Sequence, residues 1–364
     1  MATAPRPRTT TRDPEELTRR LTAWLGTRLP GAKATGVTVP ASNGMSSETL
    51  LFDLEHPEAP WKACALRLAA DPAAYTVFPS YDMARQYRTL RLVAEHTDVP
   101  VPRVLWLEED PGPLGAPFFV MERIAGRVPP DVMPYTYEGS WLHAAGDAER
   151  EHLEAATVAL LARLHDQVPS AEAEFLTPPG PGDTLRRHVK AQRAYYAWVI
   201  DGLPRSPLIE SAFGRLEELW PSDPGTPVLS WGDARIGNIV YDGFDPVAVL
   251  DWEMAALAPR EVDLGWTIYL HRFFHDLTVA SGQRGLPDFL RRDRVEARYA
   301  RLTGHTPRDM DFHTLYAALR HAIVMLRIAY RQAYFGELAV PADPDTLILH
   351  HDSLRAMVQG TYWG

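Results

Sequence analysis

A single cysteine, Cys64, in 364 residues leaves no partner for an internal disulfide and rules out a multi-cysteine zinc site. Its apolar neighbours read as a buried strand, and a reducing compartment is the expectation. Long hydrophobic runs are missing too: Ala322–Leu326 ends at Arg327, far short of the about 18 apolar residues a membrane-spanning helix needs. Positive charge is in deficit, with 37 basic against 47 acidic residues and a net charge of −10, the wrong sign for an electrostatic nucleic-acid binder. Only Lys33, Lys62 and Lys190 are lysines, which suggests genomic coding bias and no function. No His-Glu-x-x-His and no Gly-x-Ser-x-Gly occurs, which argues against zinc-protease and serine-hydrolase chemistry. No apolar segment stands before Asp13, so a cytoplasmic location is expected.

What is present is ordinary globular material, 46% hydrophobic and 23% charged, enough for about two domains or lobes. Residues 1–12, rich in Pro, Arg and Thr, read as a mobile tail. Asp13-Pro14-Glu15-Glu16 has the form of a helix start, and Leu17, Leu21 and Leu25 mark one face. Short apolar and β-branched runs at 36–41, 49–55 and 62–69 predict strands. A helix carrying Met83, Tyr87, Leu90 and Ala94 follows, then strands at 103–108 and 117–123. Residues 13–125 thus predict one α+β lobe with a small antiparallel sheet. Residues 126–364 predict a larger, mainly helical lobe, with helical periodicity at 149–168, 183–200, 261–274 and 310–335. Three short strands at 227–231, 239–241 and 247–250 interrupt it.

Those strands carry the chemistry. In Ser230-Trp231-Gly232-Asp233-Ala234-Arg235-Ile236-Gly237-Asn238, Asp233 and Asn238 stand five apart, and Asp251 ends the next apolar strand. That is the Asp-to-Asn interval of a kinase catalytic loop, in which one carboxylate meets the acceptor hydroxyl while an amide oxygen and a second carboxylate hold Mg²⁺. Each residue alone reads equally as a turn or cap; together, in a strand-loop-strand setting, they point to phosphoryl transfer.

The chain here resembles the aminoglycoside phosphotransferase and choline-kinase-like family, whose fold is protein-kinase-like. The likeness extends to Asn43-Gly44-Met45-Ser46-Ser47-Glu48-Thr49, similar to the family's nucleotide loop, and to Pro117–Arg127, similar to its hinge. It also includes Leu161-Ala162-Arg163-Leu164-His165 and Asp263-Leu264-Gly265-Trp266. The branch it most resembles contains kinase-like domains fused to acyl-CoA dehydrogenases. The resemblance implies Asp233 as base or hydroxyl-orienting residue, Asn238 and Asp251 as metal ligands, and ATP or GTP with Mg²⁺ as cofactors. It implies further that Gly44, Ser46 and Ser47 face phosphate, and that Met121, Glu122 and Ile124 offer backbone bonds to a purine. Arg67, in Ala65-Leu66-Arg67, stands where kinases carry lysine, with Lys62 as runner-up and Gln86 in place of the helix glutamate. Trp231 replaces the usual histidine before Gly-Asp and reads as packing and hydrogen-bonding support.

Asp263 reads as a brace for the loop, and Arg235 as either a phosphate contact or a structural ion pair. His165-Asp166 reads as helix-end capping, and His350-His351-Asp352 as a solvated helix start. No Asp-Phe-Gly or Ala-Pro-Glu follows, so the acceptor expected is a small-molecule hydroxyl, with no membrane or nucleic-acid partner. Residues 254–364 hold 12 acidic and 13 basic residues, no excess that would favour a polycationic aminoglycoside, which stays the alternative acceptor. With Tyr195, Tyr196, Trp198, Trp266 and Tyr269, most of which read as core, this balance leans toward a neutral, acidic or acyl-type alcohol. The reading from another class is a nucleotide-binding pseudokinase scaffold, suggested by Arg67, Gln86 and Trp231.

Overall fold

The computed structural model describes residues 12–40, 47–71 and 74–363. Residues 1–11 of the expected tail lie outside that range, as do Gly44 and Ser46 of the loop resembling a nucleotide turn.

The chain separates into two compact units, residues up to Arg91 with Pro102–Ile124, and Leu92–Val101 with Ala125–Gly364. In the first, α1 (Pro14–Arg28) begins where the Asp13 carboxylate accepts from Glu15 N, satisfying one of the helix's orphan donors. It buries Leu17, Leu21, Trp24 and Leu25. Trp24 lies edge-on to Phe118 at 4.7 Å and donates its indole N–H to Glu108 at 2.8 Å. Five antiparallel strands follow: β1 (Lys33–Thr38), β2 (Glu48–Glu55), β3 (Ala63–Leu68), β4 (Val104–Glu108) and β5 (Phe118–Glu122). Their spatial order is β1-β2-β3-β5-β4, with Arg67 of β3 opposite Thr49 and Phe119. β1 starts earlier than its expected position at 36–41 and ends at Thr38.

α2 (Met83–His96) belongs to both units, since the division falls after Arg91. The extended chain beyond it joins the second unit, where Asp98 N donates to Gln167 and Val249 N to Pro100 O.

The second unit is helical: α3 (Asp147–Gln167), α4 (Thr184–Val199), α5 (Pro207–Glu218), α6 (Glu261–Ala280), α7 (Arg292–Thr303), α8 (Met310–Tyr334) and α9 (His351–Gln359). Two small sheets stand among them, β6 (Val228–Ser230) with β9 (Ala256–Ala258), and β7 (Ile239–Asp242) with β8 (Asp245–Val249). α6 is buried over most of its length and packs on α8. Gly265 permits the approach, because a Cβ there would lie 2.7 Å from His313 O. Helices α5 and α7 and strand β9 are additions to the sequence expectation, and α9 begins at the helix start expected there.

His350 corrects it. The start of α9 is not solvated at this residue: His350 is buried, its Nε2 bonds Ala318 O at 3.0 Å, and its ring stacks on His321 at 4.7 Å.

Candidate active site

Strand β6 is buried along its length and delivers Ser230, Trp231, Gly232 and Asp233 to one turn. Asp263, in the first turn of α6, holds that turn in place. Its two oxygens accept from Ser230 Oγ (2.8 Å), Trp231 N (2.7 Å), Gly232 N (2.9 Å) and His165 Nε2 (3.1 Å). Burial alone would raise this carboxyl, but the hydrogen bonds from His165, Gly232 and Ser230 outweigh it and hold Asp263 below the ordinary carboxylate range. His165 is therefore not a helix-end cap. Arg260 Nη1 donates to the Tyr299 hydroxyl at 3.0 Å, and that hydroxyl meets His165 Nδ1 at 2.8 Å, which leaves Nε2–H to point at Asp263.

Gly232 has φ 87°, and a Cβ would lie 2.0 Å from Met254 O, so only glycine fits the corner before Asp233. On its other side, Gly232 O accepts from Arg320 Nη2 at 2.8 Å.

Asp233 itself is gripped from three directions. Trp266 Nε1 donates to Oδ1 at 2.7 Å, Arg235 Nε lies 3.2 and 3.0 Å from the two oxygens, and Asn238 Nδ2 donates to Oδ2 at 2.6 Å. The side chain stays 14% exposed, so it is rigid yet reachable. Arg235 also pairs through Nη1 with Asp131, so in this structure it is an ion-pair residue. Burial works against its charge, but Asp233 and Asp131 more than compensate and raise its pKa above the ordinary guanidinium value. Gly237 makes room for this pair: a Cβ would stand 2.4 Å from Arg235 Nη1 and 2.6 Å from Asp131 Oδ1.

Asn238 closes a short 3₁₀ turn, Ile236–Asn238, and turns its amide nitrogen to Asp233, leaving the amide oxygen as the acceptor for a cation. Leu250 N donates to Asn238 O at 2.8 Å, continuing the pairing of Ile239 with Val249, so Asp251 follows immediately beside the turn. Asp251 has φ 59°, a left-handed conformation that costs a non-glycine residue of order 1 kcal/mol and that Asp tolerates better than most. The Trp231 indole bridges the two segments, donating to Leu250 O (2.9 Å) and Asp251 O (3.2 Å). An amide oxygen and a carboxylate are hard donors suited to Mg²⁺, which keeps waters and phosphate oxygens in its remaining positions. Among the described residues no cluster of three or more His, Cys, Asp or Glu forms a ready-made metal cage.

In the first unit, Arg67 Nη1 donates to Thr49 Oγ1 at 3.3 Å, Gln86 is buried on α2, and Ser47 is buried before β2. Lys62 is exposed just ahead of β3, the solvated strand start expected of the runner-up. Of the proposed purine-facing backbone, Glu122 N donates to Arg103 O and Met121 lies within β5, both committed to the sheet, whereas Ile124 follows it.

Sequence reasoning missed the direct contact of Trp266 with Asp233, although its place three residues after Asp263 puts both on one helix face. Asp131 and Arg320 carried no local signal, being distant in the chain from the loop they touch.

The model of the Phosphotransferase enzyme family, APH, matches residues 76–313. The probable acyl-CoA dehydrogenase IBR3 of Arabidopsis thaliana is 25% identical over 268 residues, which are 68% of this chain and 31% of that protein. Acyl-CoA dehydrogenase family member 11 of Gallus gallus is 30% identical over 50% of this chain and 22% of its own length. The chain thus spans less than a third of these relatives. A crystal structure from Ralstonia eutropha, assigned to the aminoglycoside phosphotransferases, superposes with a TM-score of 0.65 at 22% identity and covers 95% of this chain and 97% of its own. At that identity the likeness bears on the fold, which is the protein-kinase-like one. Because the family match covers more than half of the chain and runs through the turn that holds Asp233 and Asn238, this protein belongs to the phosphotransferase enzyme family.

Proposed function

We propose that this phosphotransferase moves the γ-phosphoryl group of ATP to the hydroxyl of a small molecule, with Asp233, Asn238 and Asp251 as its working residues. The observation that carries the reading is the Asp233 carboxylate, fixed by Trp266, Arg235 and Asn238 and still accessible. Such a group orients the acceptor O–H and takes its proton as the oxygen bonds phosphorus and the bond to the leaving diphosphate breaks. Asn238 Oδ1 and Asp251 would hold Mg²⁺, which supplies charge neutralisation on the phosphates. Arg67 is the first unit's candidate cation for phosphate, and Ile124 its candidate backbone contact to a purine; ATP is preferred over GTP here only by the family resemblance.

The test is a thermal-shift titration with ATP, GTP and ADP, with and without Mg²⁺, on the native protein and on Asp233→Asn, alongside phosphate transfer to a panel of alcohols. A site that binds the folded state stabilises it by about 2.7 kcal/mol at 100 times Kd. The expected result is Mg²⁺-dependent stabilisation in both proteins, and a loss of transfer of about 10²–10⁴-fold in Asp233→Asn. Undiminished transfer removes Asp233 from the mechanism; no stabilisation by any nucleotide favours a pseudokinase.

A further inference from the structure

Arg320 is the most deeply buried arginine among the described residues, at 1% exposed. It leaves α8 to reach the turn before Asp233, where Nη2 donates to Gly232 O at 2.8 Å. The guanidinium carbon lies over two rings, 4.4 Å from the centre of Trp266 and 5.8 Å from that of Tyr316, its neighbour one helical turn back. Its Nε and Nη1 are buried without a hydrogen-bond partner. Burial lowers its pKa from the ordinary guanidinium value, with Tyr316, Asp263 and Asp233 opposing the fall.

As a stabilising device this is a poor arrangement. A guanidinium carries more donors than one hydrogen bond satisfies, and an unbranched apolar side chain would fill the space at a smaller desolvation cost. What the arrangement does accomplish is local control at Asp233. Only glycine fits at position 232, yet glycine leaves the next peptide free to turn, and the Gly232 carbonyl belongs to the peptide that enters Asp233. Asp263 holds the N–H side of this turn, accepting from Trp231 and Gly232, and Arg320 holds its carbonyl side. Trp266 provides a second route. Its indole N–H donates to Asp233 Oδ1 at 2.7 Å, and a cation over the ring draws electron density from the nitrogen, which strengthens that donor.

We propose that Arg320 is a positioning residue for phosphoryl transfer, fixing the Asp233 carboxylate through the Gly232 carbonyl and the Trp266 indole. The role rests on the phosphotransferase reading above and adds a residue that acts through its neighbours.

The experiment uses the full chain and compares Arg320→Met, unbranched and uncharged, with Arg320→Lys, Trp266→Phe, the Arg320→Met/Trp266→Phe pair, and Arg331→Met. Arg331 is also buried, about three turns further along α8, and controls for loss of any arginine from that helix. Phosphate transfer from MgATP to an alcohol is measured together with thermal stabilisation by MgATP and, by NMR, solvent exchange of the Trp266 indole N–H. The expected result for Arg320→Met is a kcat lower by about 10–10²-fold, within what a misplacement of about 1 Å costs, at unchanged KM for both substrates and unchanged stabilisation by MgATP. Arg320→Lys recovers part of kcat, Arg331→Met keeps all of it, and the pair loses less than the product of its single losses, as residues acting on one bond should. Indole exchange is faster in Arg320→Met, while the backbone amides of α6 and α8 keep their protection. A native kcat in Arg320→Met, whatever its melting temperature, overturns the proposal. So do an equal loss in Arg331→Met, single losses that multiply in full, or a loss confined to KM. If Arg320→Met fails to fold, Arg320→Lys carries the comparison, with a reduced kcat at unchanged KM supporting the role and a native kcat overturning it. If no alcohol is phosphorylated, the phosphotransferase reading falls, and indole exchange still decides: faster exchange in the Arg320 variants supports the hold on Asp233, and native exchange overturns it.

Discussion

Individual residues at the turn before Asp233 are constrained by space as much as by chemistry. Gly232 combines a φ of 87° with a Cβ position 2.0 Å from Met254 O, so no rotamer change relieves a side chain there. Gly232→Ala therefore adds backbone strain of about 1–3 kcal/mol to a steric clash with main chain. The expected outcome is a drop of at least about 3 kcal/mol in unfolding free energy by urea titration; a loss below about 1 kcal/mol shows that the turn adapts. Cys64 illustrates the opposite case, a residue whose environment silences it. Burial pushes its thiol up to about 11, so almost no thiolate exists at neutral pH. The buried strand inferred from its neighbours is where it sits, at zero exposure in β3.

At the scale of elements, β6, α3 and α6 are joined through Asp263. Asp263→Ala leaves Ser230 Oγ, Trp231 N and Gly232 N without their acceptor inside the protein, a loss of about 3–5 kcal/mol for a buried hydrogen-bonded charge. Amide hydrogen exchange at Trp231 and Gly232 checks it directly: both should lose protection before the α6–α8 core does, and unchanged protection would show the turn stands without its brace. The same elements show what a linear reading can and cannot see. α6 and α8 were legible because their apolar residues recur over many turns, and the Asp233–Asn238–Asp251 spacing was legible because the three belong to adjacent short segments. α7 was not, because it buries only Val295 and Tyr299 and is otherwise arginine-rich and polar. α5 does carry a readable signal, a Ser206 cap, Pro207 and a buried stripe from Leu208 to Leu216. β9 is three residues long and defined only by its pairing with β6. Asp131 and Arg320 reach the site from distant segments through side-chain bonds, which no periodicity encodes.

Taken as a whole, the molecule keeps several neutral histidines inside. Burial lowers His271 to about 3 and His313 and His350 to about 4, against about 6.5 in an unfolded chain. Below pH 6.5 the unfolded state therefore binds more protons than the folded one. Stability is complete above about pH 7 and falls as pH drops through 6.5, continuing until these groups charge in the folded protein near pH 4 and below. Three groups together account for a loss of about 3 kcal/mol between pH 6.5 and 5.5. Urea midpoints at pH 7.5, 6.5 and 5.5 measure it, with His350→Gln expected to reduce the slope by about a third; a flat profile would mean the histidines are solvated or paired when charged. The second unit also contains a device of a different kind, the Trp231 indole that closes on the carbonyls of Leu250 and Asp251 at once. Its consequence is temporal: the distance between the carboxylate of one segment and that of the next is set during folding, so a ligand arriving later meets a frame already assembled. The ordering entropy of that frame is spent before binding, and affinity need not be diverted to supply it.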